Sequence, residues 1–261
     1  GSGRQSAQQE NRQAFLTFGD ASWGSIKLGK DLGIYASDAI LNDMTLLGVG
    51  SGAGLLAGNT TTLGRIGTGF MYADWKSQVA YTSPNWNGFQ FAAGVFDPWA
   101  SVTPTLLGYA SATPSTTVAS ADSSPQFQGK VTYDFAANDV TGRVWASALY
   151  QSFHNNTKDV DDARAFDIGA KAGVAGFEAV GYYYSAEGVG TTGFGIGAHY
   201  ADITKIVARD SDGWYLQGTY TVPTVGTKLG VSYGESKLDG NSADTAFKEI
   251  KDSMWTVGAY H

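Results

Sequence analysis

The sequence contains no cysteine, which excludes both a disulfide framework and a thiolate metal site. It also lacks any apolar run near the ~18 residues of a membrane-crossing helix. The opening GSGRQSAQQENR has neither the basic nor the apolar region of a signal peptide, and reads as a loop or remnant that does not pack. Missing helical spans do not exclude a membrane, because barrel strands carry a far weaker signal per segment. Basic residues are the minority charge: 17 Lys and Arg against 24 Asp and Glu leave a net charge of −7. With no basic patch and no RNP-like aromatic run, nucleic acid is not expected as a partner. Proline is scarce, at 6 of 261 residues. What is plentiful is glycine, 35 residues, with 14 Tyr, 13 Phe and 7 Trp. That mix suits many strands joined by turns, with aromatics left over for interfaces. The length allows one large all-β domain or two smaller ones.

One stretch resists that reading. Residues 31–74, DLGIYASDAILNDMTLLGVGSGAGLLAGNTTTLGRIGTGFMYAD, show neither strand alternation nor a sustained helical period. A connection this long without its own regular element is functional or disordered, and its Ile, Leu and Met content argues against disorder. It must pack inside an enclosure supplied by the rest of the chain.

About eleven strand-like segments surround it: 12–18, 24–30, 76–83, 89–96, 126–135, 140–153, 164–172, 177–186, 213–222, 227–236 and 252–260. Most approach the ~9–11 residues with which a tilted strand crosses a bilayer. Their connections alternate. The short ones are 19–23, 84–88, 136–139, 173–176 and 223–226; the long ones are 31–74, 97–124, 154–163, 187–212 and 237–251. An up-and-down barrel requires such a rhythm, whereas a Greek-key sandwich does not.

Charges keep to one parity. Lys27, Lys76, Lys130, Asp134, Arg143, Asp167, Lys171 and Lys228 face opposite to an apolar set that includes Leu28, Val79, Phe89, Val131, Val144, Phe166, Ile168, Leu216, Leu229 and Val231. A one-residue slip would exchange the faces. A basic side chain on the lipid face costs about 2–4 kcal/mol at mid-depth, so the phase is well determined if the outside is lipid. The segment FEAVGYYYSA, 177–186, has no assignable phase. Aromatics collect near strand ends: Trp23, Trp86, Phe89, Phe135 and Phe177 by the short turns, and Trp75, Phe96, Trp99, Tyr150, Phe153, Tyr184 and Trp214 by the long loops. Two such belts suit two membrane interfaces.

Catalytic and metal motifs are weak. Gly230-Val231-Ser232-Tyr233-Gly234 matches GxSxG, but it sits mid-strand rather than at the strand–turn–helix junction a nucleophile elbow needs. The glycines from Gly48 to Gly54 do not complete a dinucleotide-binding fingerprint. Asp159, Asp161 and Asp162 lack the glycine and terminal glutamate of an EF-hand, and His154, His199 and His261 lack ligand spacing. No enzyme, cofactor or metal site is expected.

The pieces NRQAFLTF, WGSIKLGK and VAYTSPNWNGFQFAAGVF, followed by RDSDGWYLQGTYTVP, TKLGVSYGESKLD and MWTVGAYH, resemble in content and order the general diffusion porins of the Gram-negative outer membrane. The resemblance implies a sixteen-stranded transmembrane antiparallel up-and-down barrel with one long loop folded into the lumen. It implies a single domain over 1–261, incomplete at both ends, with 31–74 as the constriction loop. It further implies a homotrimer in contact with the lipid bilayer and lipopolysaccharide, passing small hydrophilic solutes and ions by passive diffusion. In that reading Ile34, Ile40, Leu41, Leu46, Leu47, Leu55 and Leu56 pack against the inner wall. The acids Asp31, Asp38 and Asp43 then face the lumen, opposite the wall bases Lys27, Lys76, Lys130, Arg143, Lys171 and Lys228. Such an arrangement sets up a transverse field that tunes ion preference. The alternative is a secreted β-sandwich or lectin-like binding module, with the apolar face as a core.

Overall fold

Strict alternation of side chains gives each strand two chemically different faces, and antiparallel pairing aligns like faces across neighbours. The computed structural model describes residues 11–47, 51–52, 62–99, 101–102, 119–120, 122–154, 159–193, 198–201, 205–244 and 247–261. Eleven strands form one sheet: β1 Ala14–Asp20, β2 Gly24–Leu32, β3 Trp75–Thr82, β4 Phe89–Phe96, β5 Gln126–Ala137, β6 Val140–Gln151, β7 Ala163–Val174, β8 Phe177–Glu187, β9 Asp210–Thr221, β10 Lys228–Asp239 and β11 Glu249–Tyr260. Every strand pairs with its sequence neighbour, antiparallel throughout. This up-and-down order, with tight turns at one end and long connections at the other, is the expected one. The sheet is not closed. β1 and β11 are its edges, and among the described residues no strand pairs with their outer sides.

The alternation sorts as expected. Leu28, Val79, Val131, Val144, Phe166, Ile168, Leu216, Leu229 and Val231 are exposed on the outer face, where hydrocarbon satisfies them. Their neighbours in sequence point to the inner face, which is buried where the insertion covers it and partly exposed elsewhere. β8, unphased from sequence, turns Val180, Tyr182 and Tyr184 inward and leaves Phe177 and Tyr183 outside. Both of its faces carry rings, so composition could not discriminate them.

The core lies on the inner face, between the sheet and the insertion. Tyr35, Ala36, Ala39, Phe70, Met71 and Ala73 of the insertion pack against Trp145, Leu149, Phe153, Val180, Tyr182, Tyr184 and Tyr215 of the wall. Each large side chain so buried contributes about 1.5–3 kcal/mol. Glycine makes room for the rings. Trp145 is the cross-strand partner of Gly169, and a β-carbon there would clash with the indole. Three aromatics expected in the long-loop belt, Phe96, Phe153 and Tyr184, are instead buried on the inner face. The insertion supplies apolar surface there, and burying a ring against it outweighs an interfacial position. Trp23, Trp86, Phe89, Phe177 and Tyr150 are exposed near the strand ends as expected.

Candidate functional site

The insertion begins at Gly33, because β2 runs on to Leu32. It turns through a short helix, α1 Ser37–Asn42, and a 3-10 turn, Met44–Leu47. Residues 48–50 and 53–61, with Leu55 and Leu56, lie outside the described residues.

A segment crossing a sheet face cannot join its ladder, so its backbone groups need side-chain partners. The wall supplies them. Ile34 and Tyr35 N–H donate to Gln128 Oε1 at 2.7 and 2.9 Å. The N–H of Ala36 reaches Ser147 Oγ at 3.3 Å. Tyr215 hydroxyl donates to the Ala39 carbonyl at 2.9 Å. Gln217 accepts from Met44 N–H at 2.7 Å and donates to the Asn42 carbonyl at 2.9 Å. Tyr260 donates to the Met44 carbonyl at 3.1 Å, and Gly69 N–H donates to Ser236 Oγ at 2.9 Å. Behind Ser147, Asp167 accepts from that hydroxyl at 2.5 Å and from Tyr182 at 2.9 Å. These anchors were missed in the sequence, though glutamine on a strand's inner parity is a usable signal.

The crossing follows one register row of the sheet. Asp134, Arg143, Lys171, Val180, Gln217, Ser232 and Thr256 are successive cross-strand partners. The insertion touches that row at Arg143 through Asp38, at Gln217 through Asn42 and Met44, and at Thr256 through Arg65.

The acids do not face open space. Asp38 is 3% exposed, with Lys130 Nζ at 2.6 Å from Oδ2 and Arg143 Nη1 at 3.2 Å from Oδ1. Lys130 also donates to Ser37 Oγ at 2.9 Å. Asp43, 4% exposed, accepts from Thr45 hydroxyl and lies 3.4 Å from Arg65 Nε. Burial lifts the Asp43 carboxyl above its ordinary range despite Thr45 and Arg65. Burial likewise lowers the Arg65 guanidinium, which stacks over Tyr215 with 5.5 Å to the ring centroid. Arg65 is the only base in 31–74, a signal the sequence offered. Asp31 belongs to β2 rather than to the insertion, and pairs with Lys27 and with Gln13 at 2.8 Å.

The expected orientation of the insertion is thus reversed at four positions, while Ile40 packs against the wall as expected. Leu41 and Leu46 are exposed at 57% and 52%, while Asp38 and Asp43 are buried on the wall side. Ion pairing, of Asp38 with the wall cations Lys130 and Arg143 and of Asp43 with Arg65 of the insertion itself, outweighs burial of two leucines, because a carboxylate left dry and unpaired would be far more costly. Ile34 does pack on the wall as expected, beside Ala80 and Phe96.

The bases divide into two kinds. Lys76 is buried at the long-loop end, donating to the Asp97 carbonyl at 3.0 Å with Trp99 beneath it, so it is set apart from the others. Arg143, Lys171 and Lys228 keep side chains 33–38% exposed. Arg143 also holds Asp134 at 2.5 Å. Glu178, on the unphased strand, sits 3.9 Å from Lys171 and 3.5 Å from Lys228.

Other candidates are occupied. Ser232, 1% exposed, donates to the Leu216 carbonyl at 3.1 Å. Asp161 pairs with Lys205 at 2.9 Å and accepts from Ala208 N–H, while Asp162 accepts from the Tyr150 hydroxyl at 2.6 Å. Among the described residues no group of acids and histidines is placed to hold a metal.

An antiparallel up-and-down sheet with an apolar outer face, a charged inner face and a segment strapped across that inner face defines an outer-membrane channel of the β-barrel class. The chain belongs to the Gram-negative porin family, which matches it over residues 1–261. No curated protein sequence matches it significantly. Among solved structures it is similar to the anion-selective porin from Comamonas acidovorans, with 13% identity and a TM-score of 0.44 over 94% of this chain and 76% of that one. It is also similar to in-vitro folded OmpT of Vibrio cholerae, at 12% identity and TM-score 0.43 over 90% and 75%. The loop L8 deletion mutant of that protein gives 13% and 0.42 over 92% and 76%. The protein is an integral outer-membrane porin, forming a channel for small solutes.

Proposed function

We propose that diffusion through this porin is passive, with no bond made or broken, and that ion preference is set where the insertion meets the wall. The observation that carries this reading is Asp38 held between Lys130 and Arg143. Buried on the wall side, Asp38 acts by pinning two cations at the level of the crossing rather than by lining the water itself. Asp43 does the same for Arg65, and Asp31 for Lys27. Lys171 and Lys228, sharing Glu178, extend the charged surface toward the short-turn end. Charged linings of this kind tune the ratio of cation to anion flux. The engaged hydroxyl of Ser232 supports a channel without catalytic chemistry.

The assembly is a homotrimer whose outer faces meet lipid and lipopolysaccharide; family membership and the apolar outer face support this. Reconstitution of the full-length protein in a planar bilayer tests both points. Conductance appearing in steps of three supports the channel and the trimer together. A reversal potential unmoved by Asp38→Asn rejects the role given to the pinned bases.

A further inference from the structure

The charges of the inner face differ in how much water reaches them. Asp38, Asp43, Asp167 and Lys76 are buried, and each is held: Asp38 by Lys130 and Arg143, Asp43 by Arg65 and Thr45, Asp167 by Ser147 and Tyr182, Lys76 by the Asp97 carbonyl. Toward the short turns the case differs. Lys171, Glu178 and Lys228 all point inward and keep side chains 33–38% exposed. Pairing sets Glu178 opposite Gly173 and Thr219, and Lys228 opposite Thr221. These short side chains let one carboxylate serve a lysine on either side, diagonally to Lys171 on β7 and past β9 to Lys228 on β10. The contacts are loose, 3.9 and 3.5 Å against 2.6 Å for Lys130 on Asp38. Among the described residues no other acid lies within 4.0 Å of either lysine. In the row that the insertion follows, Glu178 lies on the short-turn side of Val180 and Lys228 on the short-turn side of Ser232.

Resting on the channel reading above, we propose that Glu178 is a specificity-determining residue, forming with Lys171 and Lys228 a second ion filter on the short-turn side of the crossing. Its one carboxylate offsets two lysines that water reaches, so its charge decides how strongly this stretch of wall attracts anions. The filter acts by difference and does not depend on the total charge of the face. Asp38, Asp134 and Asp167 keep their own partners whatever stands at 178. Because the three groups are wetted, their field is screened by salt, unlike that of a buried pair.

The absence of cysteine allows a test in the conducting channel. Glu178→Cys is reconstituted in planar bilayers under a potassium chloride gradient and treated with a thiosulfonate carrying either a sulfonate or a quaternary ammonium. The sulfonate should return the reversal potential toward that of the unaltered protein, and the ammonium should carry it further toward anion preference. Shifts of one sign with both reagents, or no shift, overturn the proposal. In a second arm, Glu178→Gln should raise the chloride-to-potassium permeability ratio about threefold near 0.1 M salt, while Glu178→Asp, which keeps the charge, should stay close to the unaltered protein. Near 1 M salt, where the screening length is about 3 Å, the shift should largely vanish. A shift that persists there reports an altered wall rather than a lost charge, and also overturns the filter. An unaltered protein that gives no stepwise conductance overturns the channel reading as well. Normal conductance with a potential independent of residue 178 overturns only the second filter.

Discussion

Asp38 and Arg143 are 105 residues apart in sequence and meet at 3.2 Å across the interface between the insertion and β6. With Lys130 at 2.6 Å on the other carboxylate oxygen, this contact ties the helix of the insertion to two adjacent strands. A buried carboxylate with two cationic partners is destabilised sharply when one side is removed, because the remaining charges lose their compensation.

Asp38→Asn therefore does two things. It leaves Lys130 and Arg143 with one fewer acid, so the reversal potential under a salt gradient moves toward anion preference. It also weakens docking of α1, read as increased current noise. The double variant Asp38→Asn/Lys130→Gln should move the potential back. A shift toward cations in the single variant would contradict the charge assignment.

Gln128 is buried and accepts from two consecutive backbone N–H groups, those of Ile34 and Tyr35. Gln128→Leu leaves both without a partner, at a cost of about 1–3 kcal/mol each. Hydrogen exchange at residues 34 and 35 should accelerate, while exchange within β9 and β10 stays slow. Gln128→Glu, which retains an acceptor, should exchange more slowly than the leucine variant.

Arg65 is 0% exposed against a similarly buried Asp43. Arg65→Met strands that carboxylate and should cost about 3–5 kcal/mol in denaturant unfolding from lipid vesicles. Removing the partner as well, in Arg65→Met/Asp43→Leu, should restore much of the loss.

The outer face is tested by Leu216→Arg. Leu216 is exposed at the middle of β9, and a charge there should cost about 2–4 kcal/mol in the same vesicle assay. Leu216→Val should change little. Equal stability of the arginine variant would mean that this face does not meet hydrocarbon.

His199, at the long-loop end, supplies a pH dependence. Its Nε2 lies 3.0 Å from the Asp161 carbonyl, its Nδ1 has no partner, and Phe153 packs edge-on against the ring. Burial lowers its pKa below the ordinary 6.5; Asp161 and Glu187 nearby pull upward and Arg209 pulls downward. The folded loop thus binds fewer protons than the unfolded one. Its stabilisation is complete above pH 6.5 and declines as the pH falls through 6.5 toward the lowered value. Hydrogen exchange at residues 198–201 and 205–209 should accelerate below pH 6.5, and His199→Gln should flatten that dependence.

The strands were legible because a period of two leaves an unmistakable trace when one face meets oil and the other water. Lys171 between Ala170 and Ala172, or Asp167 between Phe166 and Ile168, suffices to set a phase. Where both faces carry rings, as in Phe177–Glu187, the trace vanishes. The site was legible only in part. Asp38, Asp43, Lys130 and Arg143 could be named, but Glu178 stayed hidden with its strand's phase. The side on which the acids lie could not be read at all.

Residue order alone determined the count of strands, their antiparallel succession, the face that meets lipid and the place of the insertion. Each of these depends on neighbours within a few positions, where turn chemistry and alternation act. The direction in which the insertion turns was decided by Gln128, Ser147, Tyr215 and Gln217, which lie 93 to 176 residues from the groups they hold. No local pattern encodes such contacts. They exist only once the sheet has assembled, and they put the acids on the wall and the leucines in the open.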